Sequence, residues 1–223
     1  MASGFWGLLD ALSPAQLTVA ISVASAALFL IEERRLGLVA LAAQYVLIGA
    51  IIGGHVYRPI LFLFMGIGAA VFLVLLLSAG RVERAVREAS TAGASSSAPG
   101  EEPPPQAYES MGPLFHSMAL VLAGISAYGV WRAYPIADIP PELSLASYWL
   151  VGCGLVLALI GSGPLRIGFG LLTFVNGVVS AYLLIERSLL VFTLVGALYG
   201  VLVLAIAFCT EIWLMTLRGG TEG

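Results

Sequence analysis

Seven long apolar stretches constrain this chain more than any other feature of its sequence. Each is bounded by charged residues, prolines or aromatic clusters, and they cover residues 15–32, 36–54, 58–80, 113–133, 144–161, 165–185 and 189–215. A helix needs about 20 predominantly apolar residues to cross a bilayer. The sequence therefore predicts an all-α integral membrane protein with about seven transmembrane helices.

The composition excludes the main soluble classes. Of the 223 residues, 60% are apolar and 10% are charged, whereas a soluble domain has roughly 45–50% apolar and about 25% charged residues. Too few charges remain to cover a surface that faces water, so we expect neither a soluble enzyme nor a nucleic-acid-binding protein. Cys153 and Cys209 each stand alone in an apolar stretch, which is not the pattern of a disulfide framework or a thiolate metal cluster.

One polar region divides the apolar stretches. Residues 81–112 are rich in Arg, Glu, Ser, Ala and Pro. We expect a polar, disordered cytoplasmic linker there. Its first part, 81–89, can instead prolong the third helix by two turns. The predicted organisation is an N-terminal interfacial segment over 1–14, a first three-helix unit over 15–80, the linker, a linking transmembrane helix over 113–133, and a second three-helix unit over 144–217.

The arginines predict the orientation of the chain in the membrane. Basic residues are enriched in cytoplasmic loops. If the N-terminus lies outside, the inner loops hold Arg34, Arg35, Arg81, Arg84, Arg87, Arg166 and Arg218, and the outer loops hold Arg58, Arg132 and Arg187. This uneven distribution favours a chain with its N-terminus outside and its C-terminus inside.

The second three-helix unit resembles the first. A shift of 131 residues superposes the first three apolar stretches on the last three, with their starts within a residue or two and with Arg35 on Arg166. Because one helix lies between the two units, both run in the same direction. The spacing predicts two parallel three-helix repeats, formed by spans 1–3 and 5–7, unlike the inverted repeats of many secondary transporters.

One amide lies in the second helix of each predicted unit. Gln44 and Asn176 are one residue apart in the shifted register. An uncharged amide in hydrocarbon usually forms a hydrogen bond to a neighbouring helix, and the alternative is a relay or a water-organising site at mid-membrane depth. Tyr45 and Tyr199 can extend such a hydrogen-bonded chain, or can pack as aromatic residues with one satisfied hydroxyl.

Charged residues near the ends of the spans are further candidates. Glu211 is the best candidate for an intramembrane acid, and its alternative is snorkelling toward the inner headgroups with help from Arg218. Arg35 and Arg166 are the equivalent basic residues of the two units. Each either contacts an acidic group of a neighbouring subunit or anchors the end of a helix.

Glycine spacing predicts close approach of two helices. Gly49-x-x-x-Gly53 and Gly196-x-x-x-Gly200 fit the small-residue pattern that lets helix backbones come together. Because the chain contains 26 glycines, this spacing also arises by chance.

No residue pattern of catalysis or of metal binding is present in the sequence. His55 and His116 are isolated, without a second ligand three or four residues away. The sequence contains neither a nucleophile with a nearby base nor a phosphate-binding loop in the required context. We therefore expect no catalytic residues, no bound metal and no cofactor.

Two stretches carry a family resemblance. The stretch RLGLVALAAQYVLIG, residues 35–49, resembles the second span of the E-type membrane protein of hydrogenase-4 and formate-hydrogenlyase-type complexes, where Gln follows nine residues after the Arg of an Arg-Leu opening. The stretch LRIGFGLLTFVNG, residues 165–177, resembles a later span of the same family, which opens with Leu-Arg and reaches an Asn-Gly pair ten residues on. The last three helices, 146–215, are similar to the small three-helix K-type membrane protein of complex I.

The resemblance implies a multi-pass subunit of a bacterial or archaeal cytoplasmic membrane. In such complexes antiporter-like membrane subunits carry ions, a hydrogenase-like or other redox module drives them, and the small subunits pack between the larger ones. The family carries a Glu immediately before the Asn-Gly pair, where this chain has Val175. An ionisable group in the membrane is the usual mark of a proton path, so its absence argues against direct proton translocation by this chain.

The leading hypothesis is therefore a non-catalytic membrane subunit of a hydrogenase-4-like or complex-I-like respiratory assembly. Its partners are antiporter-like subunits, a redox module and the lipid bilayer, and at most it contributes amides to a proton or ion pathway. One alternative is a small stand-alone transporter. The other is a subunit of a multicomponent cation/proton antiporter.

Overall fold

The chain folds as a bundle of α-helices. The computed structural model describes residues 13–30, 33–55, 58–96, 112–136, 139–186 and 188–219. Within these residues the helices are α1 (Pro14–Leu30), α2 (Arg34–His55), α3 (Arg58–Ser96), α4 (Pro113–Ala133), α5 (Pro141–Ile160), α6 (Pro164–Ile185) and α7 (Leu189–Gly219).

The prediction of an all-α protein is confirmed for the described residues, and the length and apolar character of their helices are consistent with a membrane protein. Among the described helices six, α2 to α7, are long and apolar enough to cross a membrane. The seventh, α1, is an apolar helix of 17 residues, slightly shorter than the roughly 20 residues that a bilayer requires. It nevertheless packs in the bundle against α2, α4 and α5.

Local sequence signals explain where several helices begin. Ser13 and Gln16 form a capping box at the start of α1, since the Ser13 Oγ accepts from the Gln16 backbone N–H and the Gln16 Oε1 accepts from the Ser13 backbone N–H. Proline stands in the first turn of α4, α5 and α6, where its missing N–H costs nothing. Between α5 and α6 the chain turns through Gly163, whose φ of 116° favours glycine.

The helices pack in two rows of three. In one row α2 contacts α1 and α3, and in the other α6 contacts α5 and α7. Across the rows α1 contacts α5, α2 contacts α6 and α3 contacts α7, while α4 lies against α1 and α5. Of the six candidate spans, α2 and α6 are the most buried and α4 is the least.

The closest packing in the bundle lies between α5 and α6. A Cβ atom placed on Gly154 would overlap the backbone N of Phe174, and one on Gly170 would overlap the backbone N of Ala158. The two backbones therefore touch. The sequence predicts close approach at Gly49-x-x-x-Gly53 and Gly196-x-x-x-Gly200 instead, and the first of these stays a prediction. At the second, a Cβ on Gly196 would lie 3.3 Å from the side chain of Ile67 and one on Gly200 would meet nothing within 4 Å, so α7 approaches a side chain there and not a helix backbone.

Helix α3 is much longer than the span that the sequence predicts. Its 39 residues extend about 58 Å at 1.5 Å per residue, roughly twice the thickness of the hydrocarbon core. The part of the predicted linker from 81 to 96 is thus helical. The Ala, Arg and Glu residues of 81–89 favour a helix, and the helix continues beyond them through the weaker helix formers of 90–96. Residues 97–111 of the linker and 1–12 of the predicted interfacial segment lie outside the described residues.

Candidate functional site

The contact between α2 and α6 brings three polar side chains together in the core. We call Ser25, Gln44 and Thr173 the first polar cluster. The Gln44 side chain is fully buried. Its Nε2 donates to Ser25 Oγ of α1 at 3.2 Å, and its Oε1 accepts from Thr173 Oγ1 of α6 at 3.3 Å. Gln44 therefore links three helices through hydrogen bonds.

A second polar cluster, Tyr45, Asn176 and Tyr199, lies between α2, α6 and α7. Asn176 is also fully buried, and its Oδ1 accepts from the Tyr199 hydroxyl at 2.5 Å. The Asn176 Nδ2 and the Tyr45 hydroxyl are buried and have no hydrogen-bond partner among the described residues. The second cluster is therefore only partly satisfied by the protein.

Aromatic packing holds the second polar cluster in place. The Tyr45 and Tyr199 rings meet edge to face with their centroids 5.6 Å apart, and Phe64 of α3 packs against both rings. Gly68 of α3 makes room for this arrangement, because a Cβ there would lie 2.8 Å from the Cβ of Tyr45. Tyr45 thus contributes packing beside Tyr199, and its part in a longer hydrogen-bonded chain stays a prediction.

The hydrogen bonds of the two amides go to different partners, but their clusters adjoin. Gln44 and Tyr45 are neighbours on α2, and Thr173 and Asn176 are one turn apart on α6. All of these groups are neutral, so the arrangement can donate and accept hydrogen bonds without holding a charge. The bonds of Gln44 are those that helix packing requires, and a relay role for either amide stays a prediction.

Glu211 forms an ion pair between α7 and α3. Its carboxylate accepts a hydrogen bond from the Arg81 guanidinium, and the two side chains are 35% and 65% exposed, respectively. This is a partly exposed pair with a partner that the sequence does not suggest. The side chain of Arg218, the predicted partner, lies outside the described residues.

Arg35 and Arg166 both form contacts within the chain, but of different kinds. Arg35 pairs with Glu83 of α3 at 2.8 Å, and both side chains are exposed. Arg166 donates to the backbone carbonyl of Phe29 at 3.2 Å, near the end of α1, where a cation complements the helix dipole. Both contacts fit the anchoring alternative.

Hydroxyl residues complete the polar core, and the sequence patterns did not point to them. Thr18 of α1 donates to the backbone carbonyl of Glu142, which joins α1 to α5, and Ser147 of α5 and Ser180 of α6 are hydrogen-bonded at 3.0 Å. The spacing of Thr173, Asn176 and Ser180 does place one polar face along α6. That periodicity could have revealed the residues, although not their partners.

The structure places His116 among aromatic side chains of the bundle. His116 is buried. Its ring and that of Phe29 meet edge to face, with their centroids 6.1 Å apart. No group of three or more His, Cys, Asp or Glu residues close enough to hold a metal is found in the described part of the chain. The His55 side chain lies outside it.

A scan against family models, a search of curated proteins and a search of solved structures each find no match to this chain. The resemblance carried by residues 35–49 and 165–177 is thus an expectation from the sequence alone.

Proposed function

We propose that this chain is a non-catalytic membrane subunit of a hydrogenase-4-like or complex-I-like assembly, where it packs beside antiporter-like subunits. The observation that carries the proposal is the complete burial of Gln44 and Asn176. These are the two amides of the sequence resemblance, they lie on the two most buried spans, and both are fully buried. Gln44 is bound by side chains of neighbouring helices, as expected of a residue that holds a helical bundle together.

The chemistry of the described core supports this limited role. Its buried polar residues are hydroxyls, two amides and His116, and the described carboxylates of Glu83 and Glu211 lie in partly exposed ion pairs. A proton path through the bilayer usually uses buried ionisable groups. On this proposal the chain contributes to a neighbouring ion path at most through the second polar cluster, whose Asn176 Nδ2 and Tyr45 hydroxyl can bind water.

The row-to-row contacts support the predicted parallel repeat. In the shifted register α1 corresponds to α5, α2 to α6 and α3 to α7, and each helix packs on its counterpart. Two parallel three-helix repeats packed side by side, with their helices in the same order, would give these contacts between corresponding helices. The repeat and the orientation with the N-terminus outside are parts of the same proposal.

The outer surface has the character of a face covered by lipid tails or by other apolar helices. Large apolar side chains on α4 and α7 are highly exposed, among them Leu122, Ile125, Val201 and Phe208 at 64–68%. Exposed apolar surface of this extent marks a membrane or protein contact.

The proposal is tested by isolating the tagged chain from its native membrane in mild detergent and identifying bound proteins by mass spectrometry. We expect antiporter-like membrane proteins and a hydrogenase-like or other redox module, absent from a control preparation of an unrelated tagged membrane protein. Recovery of the chain alone as a stable monomer would overturn the proposal.

Uptake by vesicles that depends on Gln44 or Asn176 would then favour a stand-alone transporter, and a sodium-dependent pH change would favour a component of a cation/proton antiporter.

A further inference from the structure

A crevice of about 600 Å³ opens between α2 and α3, at the end of the bundle where α2 begins. Its wall is apolar and includes Leu38 and Val39 of α2 and Phe72 and Leu76 of α3. Val39 and Leu76 are exposed, so the crevice is open at the side of the bundle. Its volume lies within the range of about 300–1,000 Å³ that is typical of ligand sites.

Charged side chains of both signs form the rim of this crevice. Glu33, Arg35 and Glu83 line it, and an adjoining recess of about 260 Å³ adds Arg84. Arg35 and Glu83 are paired at 2.8 Å, yet their side chains stay 77% and 46% exposed. The pair therefore remains accessible to a ligand that carries both a cation and an anion.

The depth of the rim matches that of lipid headgroups. Arg35 is the first residue of one candidate span, Arg35–Ile52, and Arg84 is the last residue of another, Phe62–Arg84. The ends of transmembrane helices lie at the headgroup level, and the apolar wall below them lies at the level of the acyl chains.

We propose that this crevice binds a phosphatidylethanolamine molecule. The lipid phosphate accepts from the guanidinium groups of Arg35 and Arg84, and the primary ammonium donates to the carboxylates of Glu33 and Glu83. One acyl chain lies along the apolar wall. The site consists of α2, α3 and the residue before α2, so it does not depend on which assembly the chain joins.

The charges of the rim select this headgroup over others. Arginine binds phosphate oxygens through paired N–H donors, and a primary ammonium offers three N–H donors to carboxylates. Two arginines and two glutamates have no net charge, as has the zwitterionic headgroup. A choline headgroup has no N–H to donate, and an anionic headgroup leaves the two carboxylates without a cation.

A steric variant tests whether the crevice is the site. Gly80 lines the crevice, and a Cβ placed on it meets nothing within 4 Å, so Gly80→Leu fills the space without straining the helix. Gly66→Leu is the matched control, because Gly66 lies on the same helix, also with nothing within 4 Å, and does not line the crevice. Native mass spectrometry of the purified protein with added phosphatidylethanolamine should give affinity that is lower by about tenfold or more in Gly80→Leu and unchanged in Gly66→Leu.

Rim variants test the headgroup. We expect the double variant Arg35→Gln, Arg84→Gln to bind phosphatidylethanolamine about tenfold more weakly. Arg81→Gln, which removes a comparable ion pair outside the crevice, should bind it as the unchanged protein does. Unchanged binding by Gly80→Leu, equal binding of phosphatidylcholine, tighter binding of phosphatidylglycerol, or displacement of the lipid by millimolar inorganic phosphate would each overturn the proposal.

Discussion

Tyr45 and Tyr199 belong to one aromatic cluster, but their hydroxyls are in different situations. The Tyr199 hydroxyl donates to Asn176 Oδ1, whereas the Tyr45 hydroxyl is buried with no partner among the described residues. A buried polar group without a partner costs free energy, while a bonded one contributes a modest net amount. The two tyrosines should therefore respond in opposite ways to the same chemical change.

Replacing each tyrosine by phenylalanine measures this difference, because the rings and their packing are kept. Tyr199→Phe leaves Asn176 Oδ1 without its donor, and we expect a loss of about 1 kcal/mol in the free energy of unfolding. Tyr45→Phe, the matched control, should be neutral or stabilising. Unfolding in detergent by heat or denaturant reports both values, and an equal loss at Tyr45 would contradict the assignment and indicate a bound water at its hydroxyl.

At the scale of the helices, the sequence predicts where each helix lies, because helix positions depend on local pattern. It does not predict which side chains of different helices come into contact. Apolar length and flanking charges located all seven helices. The partners of Glu211 and Gln44, namely Arg81 and Thr173, are 130 and 129 residues away in the chain, and no spacing rule connects such positions. The extension of α3 beyond 89 was missed because residues 90–96 contain Ser, Thr and Gly, which are weak helix formers and are typical of linkers.

The glycines at the interface of α5 and α6 show the same limit and allow a direct test. Gly170→Val should force the helices apart, because a side chain there would meet the backbone of Ala158, and overpacking of this kind costs about 1–3 kcal/mol. Gly129→Val in α4, where a Cβ meets nothing within 4 Å, is the control and should leave the melting temperature of the purified protein nearly unchanged. Equal losses in the two variants would mean that helix propensity, and not close packing, explains the effect.

For the whole molecule, the polar contacts between the two rows explain how halves joined through a long connection can form one bundle. Thr18 binds the backbone of Glu142, Gln44 binds Thr173, and Arg166 binds the backbone of Phe29. Each of these bonds crosses from the helices before residue 97 to those after residue 111. Together with the apolar core between the rows, they should hold the two halves together even without a covalent connection.

Expressing the chain as two fragments, cut between residues 97 and 111, tests this expectation. We expect the fragments to insert separately and to co-purify through a tag on either one, since the contacts of α1 with α5, α2 with α6 and α3 with α7 all remain.

Gln44→Leu in the first fragment removes the bond to Thr173, which at about 0.6–1.7 kcal/mol per membrane hydrogen bond should weaken the association roughly three- to eighteen-fold. Thr216→Val in the second fragment removes only an exposed bond within α7 and should leave the association unchanged. If the unaltered fragments failed to associate while each was inserted in the membrane, the contacts between the rows would be too weak to hold the two halves together, and the proposed repeat would lose its main physical support.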